Sequence, residues 1–186
     1  DEMEKELREM TDVFLQDFTV KSRLVDVGIL SGDDAINCGA VGPMMRASTV
    51  PVDMRNNGYA AYDDIDFEII TGRSFDSYAR CEVRIGELFQ SINIIRQAVK
   101  KIPDTELSVP VKGFPKGEAY VRLEQPRGEA FYYVRANGTK FLDRMRVRTP
   151  TFANLPALCH VLQGCDYGDV PLLILTIDPC ISCTER

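Results

Sequence analysis

The stretch DSYARCEVRIGELFQSINIIRQAVKKIPD, residues 76–104, carries the clearest structural signal in the sequence. Its apolar residues recur in steps of four and three, the spacing of one face of an α-helix; they are Cys81, Ile85, Leu88, Ile92, Ile95, Val99 and Ile102. Cations in the last turn and the following Pro103 are typical of a helix end. The stretch therefore predicts one helix from about Asp76 to Lys101, roughly 35–40 Å long at about 1.5 Å per residue.

The segments before this helix predict two shorter helices, a short extended stretch and a long loop. An amphipathic helical pattern opens the chain; its apolar residues are Met3, Leu7, Met10, Val13, Phe14 and Phe18. Residues 19–31 (TVKSRLVDVGILS) predict a short extended stretch, and residues 31–40 a short helix capped by Ser31 or Asp33. Residues 41–76 are rich in turn-forming residues, and we expect a loop there.

The segments after the long helix change to alternating, β-rich patterns. ELSVPVKG, AYVRLEQ, AFYYVRANG and FLDRMRVRT predict three or four antiparallel strands, with a turn at ANGTK. Two short helices are expected at about Phe152–Gln163 and Asp169–Thr176. The sequence therefore predicts one α+β domain over residues 1–186. Long helices occupy 1–104, a small antiparallel sheet about 106–149, and a helical end with a metal-ligand tail 150–186.

Composition disfavours several classes of function. The chain has 186 residues, of which 45% are hydrophobic, so it can bury a substantial core. Its net charge is −6, which disfavours nucleic acid and anionic membrane surfaces as partners. Val170–Ile177 is the longest apolar run, far short of the roughly 18–20 residues that span a bilayer. The charged, helical beginning does not resemble a signal peptide.

Two cysteines in the final DPCISCTER, Cys180 and Cys183, are the strongest candidate metal ligands. A tight turn points both sulfurs of a C-x-x-C the same way, which suits one metal centre. Zinc or an iron–sulfur cluster usually takes four ligands, so we interpret the pair as half of a site. The alternatives are a zinc site with Cys165 and His160, a redox pair, or two exposed thiols. The other four cysteines are expected to fill the core; they are Cys38, Cys81, Cys159 and Cys165.

The tail resembles the D-P-C-x-x-C-x-x-H/R motif that ends the large subunit of nickel–iron hydrogenases. Its Thr-Glu-Arg ending looks like the membrane-bound, energy-converting (group 4) enzymes. Other blocks resemble, in order, this group and the quinone-side large subunit of respiratory complex I: GAVGPMMRAS, VDMRNNGYAAYDDIDFEI, IRQAVKKIP, QPRGEAFYYVRANG and VRTPTFANLP. The resemblance covers nearly the whole chain. It extends to the C-terminal half of that subunit only, since the family's first ligand motif, R-x-C-x-x-C, is absent.

The resemblance implies the ligand set of a nickel–iron centre. Cys180 would be a terminal nickel ligand and a candidate base for the proton of dihydrogen. Cys183 would bridge nickel and an iron that carries cyanide and carbonyl ligands. Two further cysteines would come from the N-terminal part of the subunit, so the resemblance implies no complete centre in this chain alone.

Five other residues match the family's site. Arg127, which follows Pro126 in the PRG segment, matches the arginine over the open metal position, where it would position and stabilise rather than act as a base. Asp178 would pair with Arg127. Pro150 and Thr151 match the segment that binds a cyanide ligand, and Thr151 would donate to the cyanide, cap the following helix, or both.

A loop shared with complex I contains Arg46, Tyr59, Tyr62, Asp63 and Asp64. These residues are expected either to stabilise the loop or to line an interface with the small subunit or the membrane arm. The C-terminal Arg186 stands where the classical enzymes place a metal-binding histidine.

The resemblance implies a C-terminal portion of a hydrogenase large subunit. Its partners would be the N-terminal part of that subunit, an iron–sulfur small subunit and integral membrane subunits, in a cytoplasmic complex peripheral to the membrane. One alternative is a complex I-type quinone oxidoreductase subunit without nickel, which the two thiols disfavour. The other is a half-length, non-catalytic scaffold or assembly module.

Overall fold

The chain folds into nine helices and one three-stranded sheet within residues 2–185, the part that the computed structural model describes. The helices are α1 (Glu2–Gln16), α2 (Phe18–Leu24), α3 (Gly32–Asn37), α4 (Pro43–Ala47), α5 (Ser77–Lys101), α6 (Pro150–Ala153), α7 (Leu155–Val161), α8 (Val170–Thr176) and α9 (Ile181–Thr184). The strands are β1 (Lys116–Gln125), β2 (Gly128–Asn137) and β3 (Leu142–Arg148). Short 3-10 turns occupy Met54–Asn57, Tyr62–Asp64 and Tyr167–Asp169. The predicted α+β class is confirmed.

Helix α5 has the predicted bounds. Asp76 caps it, because its Oδ1 accepts a hydrogen bond of 2.8 Å from the amide of Ala79 and its Oδ2 one of 3.0 Å from the amide of Asp26. The backbone leaves the helix at Ile102 in an extended conformation, before Pro103. Its first turns enter the core, where Arg80 is fully buried and donates to Gly28 and Thr176. Burial lowers the pKa of Arg80 to about 10.

The apolar stripes of α1 and α5 are largely exposed. On α5, Ile95 and Val99 are 60% and 68% accessible, although Val83, nearer the start of the helix, is buried. On α1, Met3 and Val13 are 74% and 72% accessible. The helical periodicity is therefore correct, but the described residues cover only part of the apolar surface that it creates.

The extended stretch predicted at residues 19–31 is wrong for its first half. Helix α2 forms there, because Asp17 caps it by accepting a hydrogen bond of 3.0 Å from the amide of Val20. Ser31, rather than Asp33, caps α3. The predicted loop at 41–76 is mostly irregular but contains α4, whose first residue is Pro43.

The sheet is antiparallel in the order β1-β2-β3. Gln125 pairs with Gly128 across a two-residue turn, which places Arg127 at its tip. Residues 106–113 form no strand. They are exposed throughout, and Pro110 has no amide hydrogen for a ladder. The turn predicted at ANGTK joins β2 and β3.

The core joins the C-terminal helices to α3 and α4. Its buried residues are Leu30, Ala35, Ala40, Met44, Ala157, Val161, Leu173 and Ile177. Asn154 locks the two regions together, since its amide exchanges hydrogen bonds of 2.8 and 3.2 Å with the backbone of Val41. The helix predicted at 152–163 divides at Asn154, where α6 ends and α7 begins with Pro156 in its first turn.

The scattered cysteines differ in burial. Cys38 and Cys165 pack against this core, and burial raises the pKa of Cys81, as expected for core thiols. Cys159 is exposed on α7, so its predicted place in the core is wrong. Within residues 2–185, no helix is both long and apolar enough to cross a bilayer.

Candidate metal centre

Cys180 and Cys183 lie on one helical turn. Cys180 precedes α9 in an extended conformation, and the amide of Cys183 donates to its carbonyl at 3.0 Å. The turn follows Ile177, which is 1% exposed. Asp178 adopts a left-handed φ of 54°, unusual for a residue other than glycine. The buried end of α8 and this sharp bend fix where the two thiols emerge.

Arg127 and Asp178 contact each other beside the thiols. The Arg127 Nε donates to the Asp178 carbonyl at 2.8 Å, and its Nη2 lies 3.3 Å from Oδ1. Their side chains are 36% and 42% exposed, so the ion pair is open to solvent. The structure thus brings the two predicted residues together, and their role in chemistry stays a prediction.

Two glycines position the turn that carries Arg127. Gly128 has a φ of 127°, and a Cβ atom added there would lie 2.7 Å from the Gly42 nitrogen and 2.8 Å from the Val41 carbonyl carbon. Only glycine permits this conformation and this approach. The loop before α4 therefore presses directly against the turn between β1 and β2.

The threonines of TPT hold the tail. The Thr149 hydroxyl caps α6 by accepting from the Phe152 amide at 3.4 Å, and it also donates to the Cys183 carbonyl. Buried Thr151 accepts from the Cys180 amide at 3.2 Å. Thr151 is thus not the helix cap, because the helix begins one residue before it, at Pro150. Its predicted donation to a cyanide stays a prediction.

The Cys180 thiol is acidic for a cysteine. Hydrogen bonds with Ser182 and then Cys183 lower the pKa of Cys180 to about 7, and the charge of Arg127 acts in the same direction. The Sγ of Cys180 lies 3.2 Å from the Ser182 hydroxyl. Because the thiolate is the form that binds metals, this environment favours ligation.

The donor set fits half of a four-thiolate centre. Among residues 2–185, no three His, Cys, Asp or Glu side chains gather closely enough to hold a metal ion. The zinc alternative with Cys165 and His160 therefore lacks its ligand set, and the His160 Nε2 instead lies 3.7 Å from Asp34. Soft thiolates are suitable ligands for nickel and iron, and two more are needed to complete such a site.

A buried charge cluster was missing from the sequence prediction. Arg46 is 1% exposed, and its guanidinium lies 2.7 Å from Glu87, 2.8 Å from Glu124 and 3.3 Å from Asp53. Arg46 thus stabilises its loop, one of its two predicted roles. The sequence held one signal of this cluster: Arg80, Arg84 and Glu87 recur in steps of four and three on α5.

Other residues of the same loop differ in exposure. The Tyr59 hydroxyl accepts a hydrogen bond of 2.9 Å from the Glu124 amide, and its ring packs edge-on against Tyr62 at 5.0 Å. Asp63 and Asp64 are exposed. The interface role predicted for this loop stays a prediction.

A cavity of about 360 Å³ extends from the charge cluster to Asp178, the residue that contacts Arg127. Glu87, Glu124, Pro126 and Asp178 are among the residues that line it. Arg84 also lines it, and its buried Nε has no hydrogen-bond partner among the residues described.

Comparison with known families identifies the chain. The profile of the respiratory-chain NADH dehydrogenase 49 kDa subunit matches residues 1–113 and 110–186. The chain belongs to this 49 kDa subunit family. The family resemblance of the sequence blocks is thereby confirmed.

Relatives in the 49 kDa family include hydrogenases and quinone oxidoreductases. The carbon monoxide-induced hydrogenase of Rhodospirillum rubrum is 39% identical over 100% of this chain and 52% of its own length. The membrane-bound hydrogenase subunit alpha of Pyrococcus furiosus is 37% identical over 97% of the chain and 46% of its own length.

A subunit of the NADH-quinone oxidoreductase of Deinococcus radiodurans is 34% identical over 100% of the chain and 53% of its own length. The chain therefore spans about half the length of these curated relatives. The relatives are oxidoreductase subunits of both kinds, and identity alone does not separate the two.

Proposed function

We propose that the chain is the C-terminal part of the large subunit of a membrane-bound, energy-converting nickel–iron hydrogenase. In this proposal, Cys180 and Cys183 supply two of the four thiolates of a nickel–iron centre. One observation carries it. Two thiols share a turn, and Arg127 contacts Asp178 beside them.

The residues at the turn would make different contacts with the centre. Cys180 and Cys183 would hold the nickel–iron centre through their thiolates. Thr151 and Pro150 would contact a cyanide on the iron, which also carries carbonyl. When bound, such a centre supplies the redox chemistry that converts dihydrogen into two protons and two electrons.

Arg127 and Asp178 would shape the open side of the centre. A guanidinium keeps its proton, so Arg127 contributes position and positive charge rather than base catalysis. Asp178 holds it through the contacts of 2.8 and 3.3 Å. In this proposal the Cys180 Sγ, which lies 3.2 Å from the Ser182 hydroxyl, is the atom at which a proton would be held.

We propose partners that would supply the two missing cysteine ligands and cover the exposed apolar surface. The N-terminal part of the subunit would supply the other two cysteines, an iron–sulfur small subunit would carry the electrons, and integral membrane subunits would couple the reaction to ion transport. The exposed apolar stripes and the length, about half that of the relatives, support a further part of the same subunit. We place the complex on the cytoplasmic side of a membrane, as a peripheral arm.

The second candidate is a quinone oxidoreductase subunit without nickel. The relatives that are named as NADH-quinone oxidoreductase subunits favour it. Two adjacent thiols on a preorganised turn favour the hydrogenase instead, since quinone reduction has no need of soft metal ligands. A half-length scaffold without a centre is the third candidate.

Nickel analysis of the native complex tests the proposal. We expect stoichiometric nickel and iron in the complex, infrared bands from cyanide and carbonyl, and neither in the isolated chain. Cys180→Ser should abolish hydrogen turnover in the assembled complex, whereas Cys159→Ser, on an exposed cysteine, should leave it unchanged. A complex without nickel, or full turnover in Cys180→Ser, would contradict the assignment.

A further inference from the structure

Two largely buried carboxylates line the cavity that extends to Asp178, and neither has a role in metal binding. Glu124 is 6% exposed and Glu87 is 14% exposed. They come from different elements, β1 and α5, and meet at the guanidinium of Arg46. Asp178, two residues before Cys180 and in contact with Arg127, lines the same cavity.

Glu87 and Glu124 carry two negative charges between them but share a single guanidinium, that of Arg46. Arg46 is the guanidinium that both carboxylates contact, while Asp53 takes both bonds from Arg55, at 2.9 and 2.6 Å. A proton on either glutamate therefore still leaves Arg46 paired. The other ionisable or charged groups around the pair are Asp53, Arg55, Tyr59, Tyr62, Arg84 and Asp178.

Burial of the two carboxylates acts against the pairing with Arg46. Removal from water raises the pKa of Glu87 and of Glu124, and the positive charge of Arg46 offsets only part of that effect. Glu129, in the same sheet as Glu124, has the opposite ratio of carboxylates to guanidiniums. Two guanidiniums contact its one carboxylate, and hydrogen bonds from Arg122 hold the pKa of Glu129 below its usual range.

The cavity can hold water between its two ends. A volume of about 360 Å³ far exceeds the space that one water molecule occupies. The unpartnered Nε of Arg84 also calls for a water, because a buried N–H without a partner is costly. Bridging waters with such polar neighbours can carry protons between groups that do not touch.

We propose that Glu87 and Glu124 relay protons between the metal site and the protein surface through water in this cavity. The inference rests on the proposed hydrogenase function. Each dihydrogen yields two protons and two electrons. A bound centre would accept the electrons, and each proton would enter the cavity water and protonate one glutamate. That glutamate then releases its proton towards solvent, so the relay consumes nothing. Glu87 is the more exposed of the two glutamates, so we assign to it the release of the proton to solvent.

Glutamine variants in the assembled, nickel-loaded complex test the relay. Glu87→Gln, Glu124→Gln and the double variant keep the size of the side chain and a hydrogen-bond acceptor but cannot accept the proton. We expect hydrogen turnover and hydrogen–deuterium exchange per bound nickel to fall about tenfold or more, with unchanged cyanide and carbonyl bands. Glu87→Asp should restore part of the rate. Glu129→Gln is the matched control, a buried, arginine-paired glutamate opposite Glu124 in the sheet that does not line this cavity, and it should keep the rate per nickel.

A second measurement needs no stable variant. The infrared difference spectrum of the wild-type complex, hydrogen-treated minus argon-treated, should contain a protonated-carboxyl band that shifts in deuterium oxide. Absence of that band, an unchanged rate per nickel in the double variant, or an equal fall in Glu129→Gln would each overturn the relay. A wild-type complex without nickel would instead defeat the hydrogenase assignment, so the two failures are distinguishable.

Discussion

At the scale of single residues, the pKa of a buried carboxylate depends on how many guanidiniums contact it. Glu129 is 8% exposed and accepts hydrogen bonds of 2.9 and 2.8 Å from Arg122 and of 2.8 Å from Arg148. These bonds, above all those from Arg122, hold its pKa below the usual value. The unfolded chain lacks them, so its Glu129 titrates near the ordinary pKa of about 4.3.

This difference in pKa predicts an acid-sensitive contribution to stability. Because the folded pKa is the lower one, the contribution is complete above the unfolded pKa and is lost as pH falls through the folded pKa. We expect Glu129→Gln to lower the free energy of unfolding by about 1–2 kcal/mol at pH 7, and to flatten its dependence on pH below about pH 4. Denaturant titrations from pH 3 to pH 7 measure both. Glu118→Gln, exposed on the same sheet, should change neither, and equal acid limbs for wild type and Glu129→Gln would contradict the assignment.

Sequence could predict the tail but not the charge cluster. Cys180, Cys183, Arg127 and Asp178 belong to short blocks whose residue types identify the chemistry locally. Whether Glu87 is buried depends on Arg46 arriving from a distant segment, 41 residues away. A charge on an amphipathic helix usually lies in water, so pattern alone favours the wrong environment.

At the scale of elements, local signals decide what can be predicted. Helix α5 is predicted with its observed bounds because its cap, periodicity and proline stop all lie within the segment. Helix α2 is missed although Asp17 marks its start, since the branched residues after it favour extended structure. The division at Asn154 has a local signal in Pro156, but the bonds of Asn154 to Val41, 113 residues away, do not.

The contact of the Arg127 turn with the loop before α4 gives a prediction at this scale. Gly128→Ala introduces a Cβ atom at 2.7–2.8 Å from the backbone of Gly42 and Val41, with φ at 127°. Such a contact forces the two backbones apart, and we expect a loss of about 3 kcal/mol in unfolding free energy. The turn would also carry Arg127 away from Asp178, so the assembled complex should lose hydrogen turnover.

Gly138→Ala is the control for backbone strain alone. Its φ of 83° is also left-handed, but an added Cβ atom would meet only the Lys116 side chain, at 3.9 Å. Its cost should stay near 1 kcal/mol, with turnover retained. Denaturant unfolding and a hydrogen assay of both variants make the comparison. If both variants lost the same stability, the close approach at Gly128 would have no energetic importance.

At the scale of the whole molecule, the described chain leaves a large apolar surface open. Leu88, Ile95, Val99 and Ile102 extend along α5 and are 48–75% accessible. Soluble proteins rarely expose a continuous apolar stripe without a partner for it. In the proposed assembly, the rest of the subunit would cover this surface.

Substitution of the stripe tests that assembly. The double variant Ile95→Gln with Val99→Gln removes two apolar side chains that are 60% and 68% exposed. Glutamine has a high helix propensity, so α5 itself should be preserved. The unfolding free energy of the chain itself should change by less than about 0.5 kcal/mol for each substitution, because these residues have few contacts to lose. Association with the remainder of the subunit should weaken by about 2–4 kcal/mol, since both side chains would be buried on assembly. Co-purification with that remainder and titration of its binding measure the effect.

Asn93→Gln with Lys100→Gln, two exposed positions off the stripe, provides the matched control and should bind as wild type does. The comparison separates burial of the stripe from any general effect of glutamine on α5. Equal affinity of all three chains would mean that the stripe faces something other than the rest of the subunit. A loss confined to the stripe variant would mean that this face of α5 binds the remainder of the subunit, because only the stripe variant removes apolar side chains from the exposed surface of the helix.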